Sequence, residues 1–207
     1  MRSQEPARTR YGWRLLAAGA VTVTTVALTG QAPAATDPAA KIRAFKPVAD
    51  TYVTASLPRA NYGRAKVLRV NSSPVAITYL RFHLGKLTSD VASVILLLHT
   101  SGSRRTSYEV RKVDQHRWRE AGLTYSNAPR LSLRYASSKP VRQGIWSAVE
   151  VTSLVSGDED ISLAITTRGA RELIFDSRES TRGPRLVVRV EDRDEVTGRI
   201  VQALLPH

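Results

Sequence analysis

The chain has 207 residues, no cysteine and a formal net charge of +13. Without cysteine there are no disulfides, no thiol catalysis and no thiolate metal sites, so the fold must stand on packing, alone or with a bound ion. The cationic surplus favours acidic partners, among them uronic-acid or sulfated glycans, teichoic acids, anionic membrane surfaces and nucleic acid; an arginine-rich composition imposed by a GC-rich genome would give the same surplus with no partner.

The first segment reads as a targeting signal, not as part of a fold. Arg2, Arg8, Arg10 and Arg14 form a basic start, residues 15–28 are the uncharged run LLAAGAVTVTTVAL, and residues 32–35 are the small residues APAA. The run falls short of the roughly 18–20 residues that span a bilayer. The pattern therefore predicts a secretory signal over residues 1–35, cleaved after Ala34 or Ala35, with a secreted, extracellular product and no stable membrane insertion once it is removed. Residues 1–35 carry four Arg and one Glu, a net +3, which leaves +10 of the +13 on the remainder. That remainder is about 170 residues, the size of one ordinary domain.

Residues 36–46 read as an Ala/Pro/Lys linker. From Pro47 onward the pattern changes to short alternating runs rich in β-branched and aromatic residues, bounded by Gly, Pro, Ser, Asn or Asp. In chain order these are TYV at 51–53, VLRV at 67–70, TYLRFHL at 78–84, SVILLLHT at 93–100, SYEVRKV at 107–113, WSAVEV at 146–151, ISLAIT at 161–166, ELIFDS at 172–177 and RLVVRV at 185–190. Nine or ten short strands with turn signals between them, and no segment of helical period, predict an all-β, two-sheet β-sandwich of jelly-roll type over residues 47–190. The run at 93–100 is apolar on both parities, which predicts a central strand covered on both faces. Alternation places Leu80, Phe82 and Leu84 inward and Tyr79, Arg81 and His83 outward; the same rule turns Arg69 to solvent. The tail, residues 191–207, fits an extra edge strand, a short helix or disorder.

From the first strand into the second, four basic residues, Arg59, Arg64, Lys66 and Arg69, crowd around an Asn61-Tyr62-Gly63 turn. These, with Tyr62 and the outward Arg81, are the candidate ligand row: spaced cations can each meet one carboxylate of an acidic polymer by charge-assisted contact. Gly63 can take positive φ in that turn.

Catalysis finds little support. His83, His99, His116 and His207 show no metal-ligand spacing, and there is no G-x-S-x-G nucleophile motif. Asp50, Asp114, Glu120, Asp176 and Glu179 form no recognisable catalytic pair and read as turn caps and surface ion pairs. Calcium is a candidate cofactor through the acidic runs GDEDIS at 157–162 and EDRDEVTG at 191–198, but neither has the EF-hand order, and a solvated turn is the better reading of the first. Trp118 and Trp146 could present sugar-stacking rings; the residues around each favour the core.

The blocks ADTYVTASLPRANYG, TYLRFHLGKL, RWREAGLTYSNAP, WSAVEVTSLVSGDEDISLAIT and IFDSREST-RGPRLVV follow, in order, a pattern that resembles DNRLRE domains, classed among carbohydrate-binding modules of family 96 and related to disaggregatase modules. The resemblance spans residues 48–190. It implies a secreted, non-catalytic β-sandwich with acidic polysaccharide or cell-wall glycan as partner, and no nucleic acid. It also marks Asp50, Asn61, Tyr62 and Gly63 in one block, Trp118, Glu120, Thr124, Asn127 and Pro129 in a second, and Ser177, Arg178, Glu179 and Pro184 in a third, as residues that fix loops and corners. Tyr125 stands where the family usually has Trp, and no enzyme domain accompanies the module. A structural or adhesive wall protein with generic charge is the alternative function.

Overall fold

A computed structural model gives the fold and describes residues 41–86, 90–103, 105–155, 159–169 and 171–191. The expected signal, the first part of the linker and the tail from residue 192 lie outside the described residues, as do 157 and 158 of the first acidic run. No helix among the described residues is long and apolar enough to cross a membrane.

Eleven strands lie among the described residues: β1 (Lys41–Phe45), β2 (Ala49–Thr54), β3 (Val67–Ser72), β4 (Val75–His83), β5 (Asp90–Ser103), β6 (Glu109–Val113), β7 (Tyr135–Ser137), β8 (Trp146–Glu150), β9 (Asp160–Thr166), β10 (Leu173–Asp176) and β11 (Arg185–Glu191). All pairings are antiparallel. The hydrogen-bonded path runs β1-β11-β5-β10-β3-β4-β9-β6-β7, with β2 added beside β4 and β8 beside β5. The all-β class is as expected, but the ladder does not divide into the two sheets of a jelly roll. Strands β10 and β3 carry the hydrogen bonding from β5 to β4, so a single sheet curls around the core.

The region read as linker begins the fold early. KIRAF, β1, pairs with β11 from Lys41↔Val190 to Phe45↔Leu186. Phe45 alone of its five side chains packs on the core, and Ile42 is 70% exposed. An edge strand with one inward anchor and two cations has too weak an alternation to be read as a strand.

The main core gathers Leu68, Leu80, Phe82, Leu96, Leu163 and Phe175, among others, all essentially inaccessible. Strand β5 is central by pairing, but only one face is fully covered: Val94, Leu96 and Leu98 are buried, whereas Ile95 and Leu97 are half-buried. The expectation of cover on both faces is corrected accordingly.

A second cluster lies on the opposite face of β4 and β9. Ala49, Val53, Tyr79, Val113, Trp118, Leu123 and Ala164 pack there beneath the excursion from β6 to β7. Tyr79, expected to face water, is 1% exposed, and its hydroxyl donates to the Pro129 carbonyl at 3.1 Å. Alternation places a side chain on a face; it does not say what the loops lay over that face. Trp118 is buried as expected, and its Nε1 donates to the Ser162 hydroxyl at 3.1 Å.

Candidate functional site

The crossover between β2 and β3 is held by its own polar groups. The Asn61 side-chain amide donates to the carbonyls of Glu120 (2.7 Å) and Leu123 (2.8 Å), while its oxygen accepts from Gly63 N at 3.2 Å. The Pro58 carbonyl accepts from both the backbone N and the hydroxyl of Ser126, each at 2.9 Å. Tyr62 stacks on Tyr52, with centroids 4.2 Å apart and planes 17° from parallel. Two irregular segments are thus clamped to each other and to β2.

Gly63 serves this clamp differently from what its turn suggested. Its φ is not positive; the positive-φ glycines among the described residues are Gly85 and Gly144. A Cβ at Gly63 would lie 2.6 Å from both Cγ and the backbone oxygen of Glu120, so close approach of two backbones is what demands glycine. Gly63→Ala should cost about 2–3 kcal/mol, because the backbone at Glu120 must move. Thermal denaturation checks it, and a midpoint within about 1 °C of wild type would show that the clamp yields.

The crossover presents Arg59, Arg64 and Lys66 exposed, with no side-chain hydrogen bond or ion pair among the described residues. The other two cations of the expected row are committed to the protein. Arg69 pairs with Glu172 at 2.7 Å, both side chains 38% exposed. Arg81, expected to be solvent-facing, is half-buried: its Nη1 donates to the carbonyls of His116 (3.0 Å) and Trp118 (2.9 Å), and its guanidinium lies 5.6 Å from the Trp118 ring centroid. It anchors the Trp118 excursion, which corrects its place in a row facing solvent.

The other tryptophan corrects the reading in the opposite sense. Trp146, expected in the core, is 40% exposed. In β8 it is Ser147 and Val149 that face inward, so Trp146, Ala148 and Glu150 face out. The indole stands edge-on to the buried His99 (5.4 Å, 71°), and the Arg185 guanidinium lies 5.5 Å from its centroid. His99 is itself held: its Nδ1 lies 2.7 Å from Asp176 Oδ2, which Arg182 Nε approaches to 3.3 Å. On one side a groove of about 390 Å³ is lined by Trp146, Ile145, Pro140, Ser137, Lys139 and Glu150, among others. On the other, the cross-strand partners Leu97 and Ala148 continue the face beside Arg185. An aromatic ring fixed at its edge, a cation over the ring and an open groove beside it are suited to a ligand that combines an apolar face with negative charge. The alternation of Ser147, Val149 and Val151 was the available signal that Trp146 points outward.

The carboxylates also assemble. Asp50, Glu120 and Glu179, scattered along the chain, each offer an oxygen within 4.8 Å of the others. Burial pushes the Asp50 carboxyl up to about 7, against the opposing pull of the Arg178 backbone N–H that donates to it. These residues could hold a cation.

A family model described as carbohydrate-binding module family 96 matches residues 41–190. A search of curated proteins finds no match.

Proposed function

Because the chain belongs to carbohydrate-binding module family 96, we propose that it is a secreted, non-catalytic module that binds uronate-rich polysaccharide, with Trp146 and Arg185 at the centre of its binding face. The observation that carries this reading is the exposed indole held edge-on by buried His99 beside the groove along β8. The indole supplies a stacking surface for an apolar sugar face, and Arg185 supplies a charge for a neighbouring carboxylate. Lys139 adds a second cation on the groove wall. The basic start, uncharged run and small residues of residues 1–35 support export. Glu150 is the one carboxylate among the described residues that line the groove, whereas glycoside hydrolysis uses a pair.

The crossover carries a second candidate patch, Arg59, Tyr62, Arg64 and Lys66, with Arg69 at its end. The exposed Arg59, Arg64 and Lys66 favour a role in attracting an acidic chain by charge.

Titration of the protein against alginate, polygalacturonate and a neutral glucan at several salt concentrations tests both. Saturable binding to an acidic glycan that weakens as salt rises is expected. Trp146→Ala should lower the affinity by about tenfold or more, the loss of one aromatic contact. The triple change Arg59→Ala, Arg64→Ala and Lys66→Ala should flatten the salt dependence. Equal weak binding to every polyanion, unmoved by Trp146→Ala, would instead favour a structural or adhesive protein with generic charge. Absorbance from unsaturated uronate should stay flat; a steady rise would mean a lyase.

A further inference from the structure

Asp50 lies in β2, Glu120 in the 3-10 turn Glu120–Gly122 and Glu179 in the turn after β10. Asp50 is fully buried. Its Oδ2 accepts from Arg178 N at 2.7 Å, but its Oδ1 is buried with no hydrogen-bond partner among the described residues. Around it, Glu120 Oε1 accepts from Asp50 N at 2.9 Å, and the Ser177 hydroxyl donates to Glu179 Oε2 at 2.8 Å. One guanidinium serves the two glutamates: Arg178 Nε lies 3.3 Å from Glu179 Oε1, and its Nη1 lies 3.8 Å from Glu120 Oε1 and also donates to the Val48 carbonyl. With Asp50 ionised, three carboxylates against one arginine leave two negative charges around a buried oxygen with no donor among the described residues, an arrangement that costs stability unless something positive fills it.

We propose that Asp50, Glu120 and Glu179 form a binding site for a hard divalent cation of the calcium class. A +2 ion balances the residual charge, and Asp50 Oδ1 gives it a preformed ligand. The donor set is all oxygen, without the imidazole or thiolate that favours zinc or copper. Glu120 and Glu179 are each 26% exposed at the side chain, so the ion has a route from solvent and room for water in its remaining positions. The bound ion ties β2, the Trp118 excursion and the β10–β11 turn together. Because Asn61 donates to the Glu120 carbonyl, it also stiffens the crossover that carries Arg59, Arg64 and Lys66. The competing occupant is a proton on Asp50, shared with one of the glutamates.

The test is thermal unfolding of the chelator-stripped protein at pH 8, with and without millimolar calcium or magnesium chloride, together with calorimetric titration of calcium. Calcium at ~100 times its Kd should raise the midpoint by about 5–10 °C. Glu179→Gln, which alters a half-exposed group, should abolish most of that shift; Asp50→Asn should do the same if it folds. The acidic runs at 158–160 and 191–195 are another source of weak calcium binding, and Glu179→Gln separates them from the proposed site. A midpoint indifferent to calcium, or a calcium shift retained in full by Glu179→Gln, overturns the site in favour of the shared proton. This readout is independent of glycan binding.

Discussion

Trp118→Ala should remove about 3–5 kcal/mol of folding stability, the range for emptying a buried aromatic site. Three losses coincide there. The indole leaves a cavity between Tyr79, whose ring meets it edge-on at 6.2 Å, and the excursion above. The Ser162 hydroxyl, fully buried, loses its donor. Arg81 loses the ring beneath its guanidinium while its two carbonyl partners lie on the same loosened segment. Trp118→Phe keeps most of the apolar volume and isolates the Ser162 bond, so it should recover part of the loss and leave about 1–3 kcal/mol. Trp146→Ala is the control: a side chain 40% exposed on an outer face should cost about 1 kcal/mol or less of stability. Urea midpoints for the three variants check the order, and equal destabilisation by Trp118→Ala and Trp146→Ala would sink the division between a core and a presented tryptophan.

That division shows where sequence patterns inform and where they stop. The strands were legible because β-branched residues at period two leave little choice of element, and the inward set Leu80, Phe82 and Leu84 follows from parity. Parity misplaces Tyr79 because its covering layer comes from residues about 40 positions on, in a segment whose regular structure is two single turns of 3-10 helix. Trp146 differs for another reason: the residues around it suit a core position, but Ser147 and Val149 are the ones in β8 that face inward, which turns the indole out. Gly63 was recognised as necessary for the wrong cause, since a turn can be inferred locally and a backbone approach by Glu120 cannot. The candidate cation cluster was the least legible. Asp50 meets its partners across separations of 70 and 128 residues, and no spacing rule connects a β2 aspartate with acids in two distant turns. The resemblance had already singled out all three as corner-fixing residues; the structure brings those corners to one point.

Alkaline pH should unfold the domain through two buried phenols. Tyr79 and Tyr108 are each 1% exposed, and burial pushes both hydroxyls from 10 up to about 12. Tyr79 is raised further by Tyr125, whereas the hydrogen bond between Tyr108 and the Ser147 hydroxyl, 2.8 Å long, pulls slightly the other way. The folded value lies above the unfolded one, so between pH 10 and 12 the unfolded chain holds fewer protons and is favoured. The stability these phenols contribute is complete below pH 10 and is lost as pH rises through about 12. A difference of that size corresponds to about 3 kcal/mol per phenol, so the pair removes on the order of 5 kcal/mol, a large part of a typical domain's total. Tyr79→Phe separates the titration from the hydrogen bond. At neutral pH it should lose about 1 kcal/mol with the bond to the Pro129 carbonyl, yet above pH 10 its stability should fall less steeply, by about 1.4 kcal/mol per pH unit, because one ionisable group is gone. Urea midpoints from pH 8 to 11.5 give both slopes, and parallel lines for wild type and Tyr79→Phe would show that alkaline unfolding proceeds through other groups.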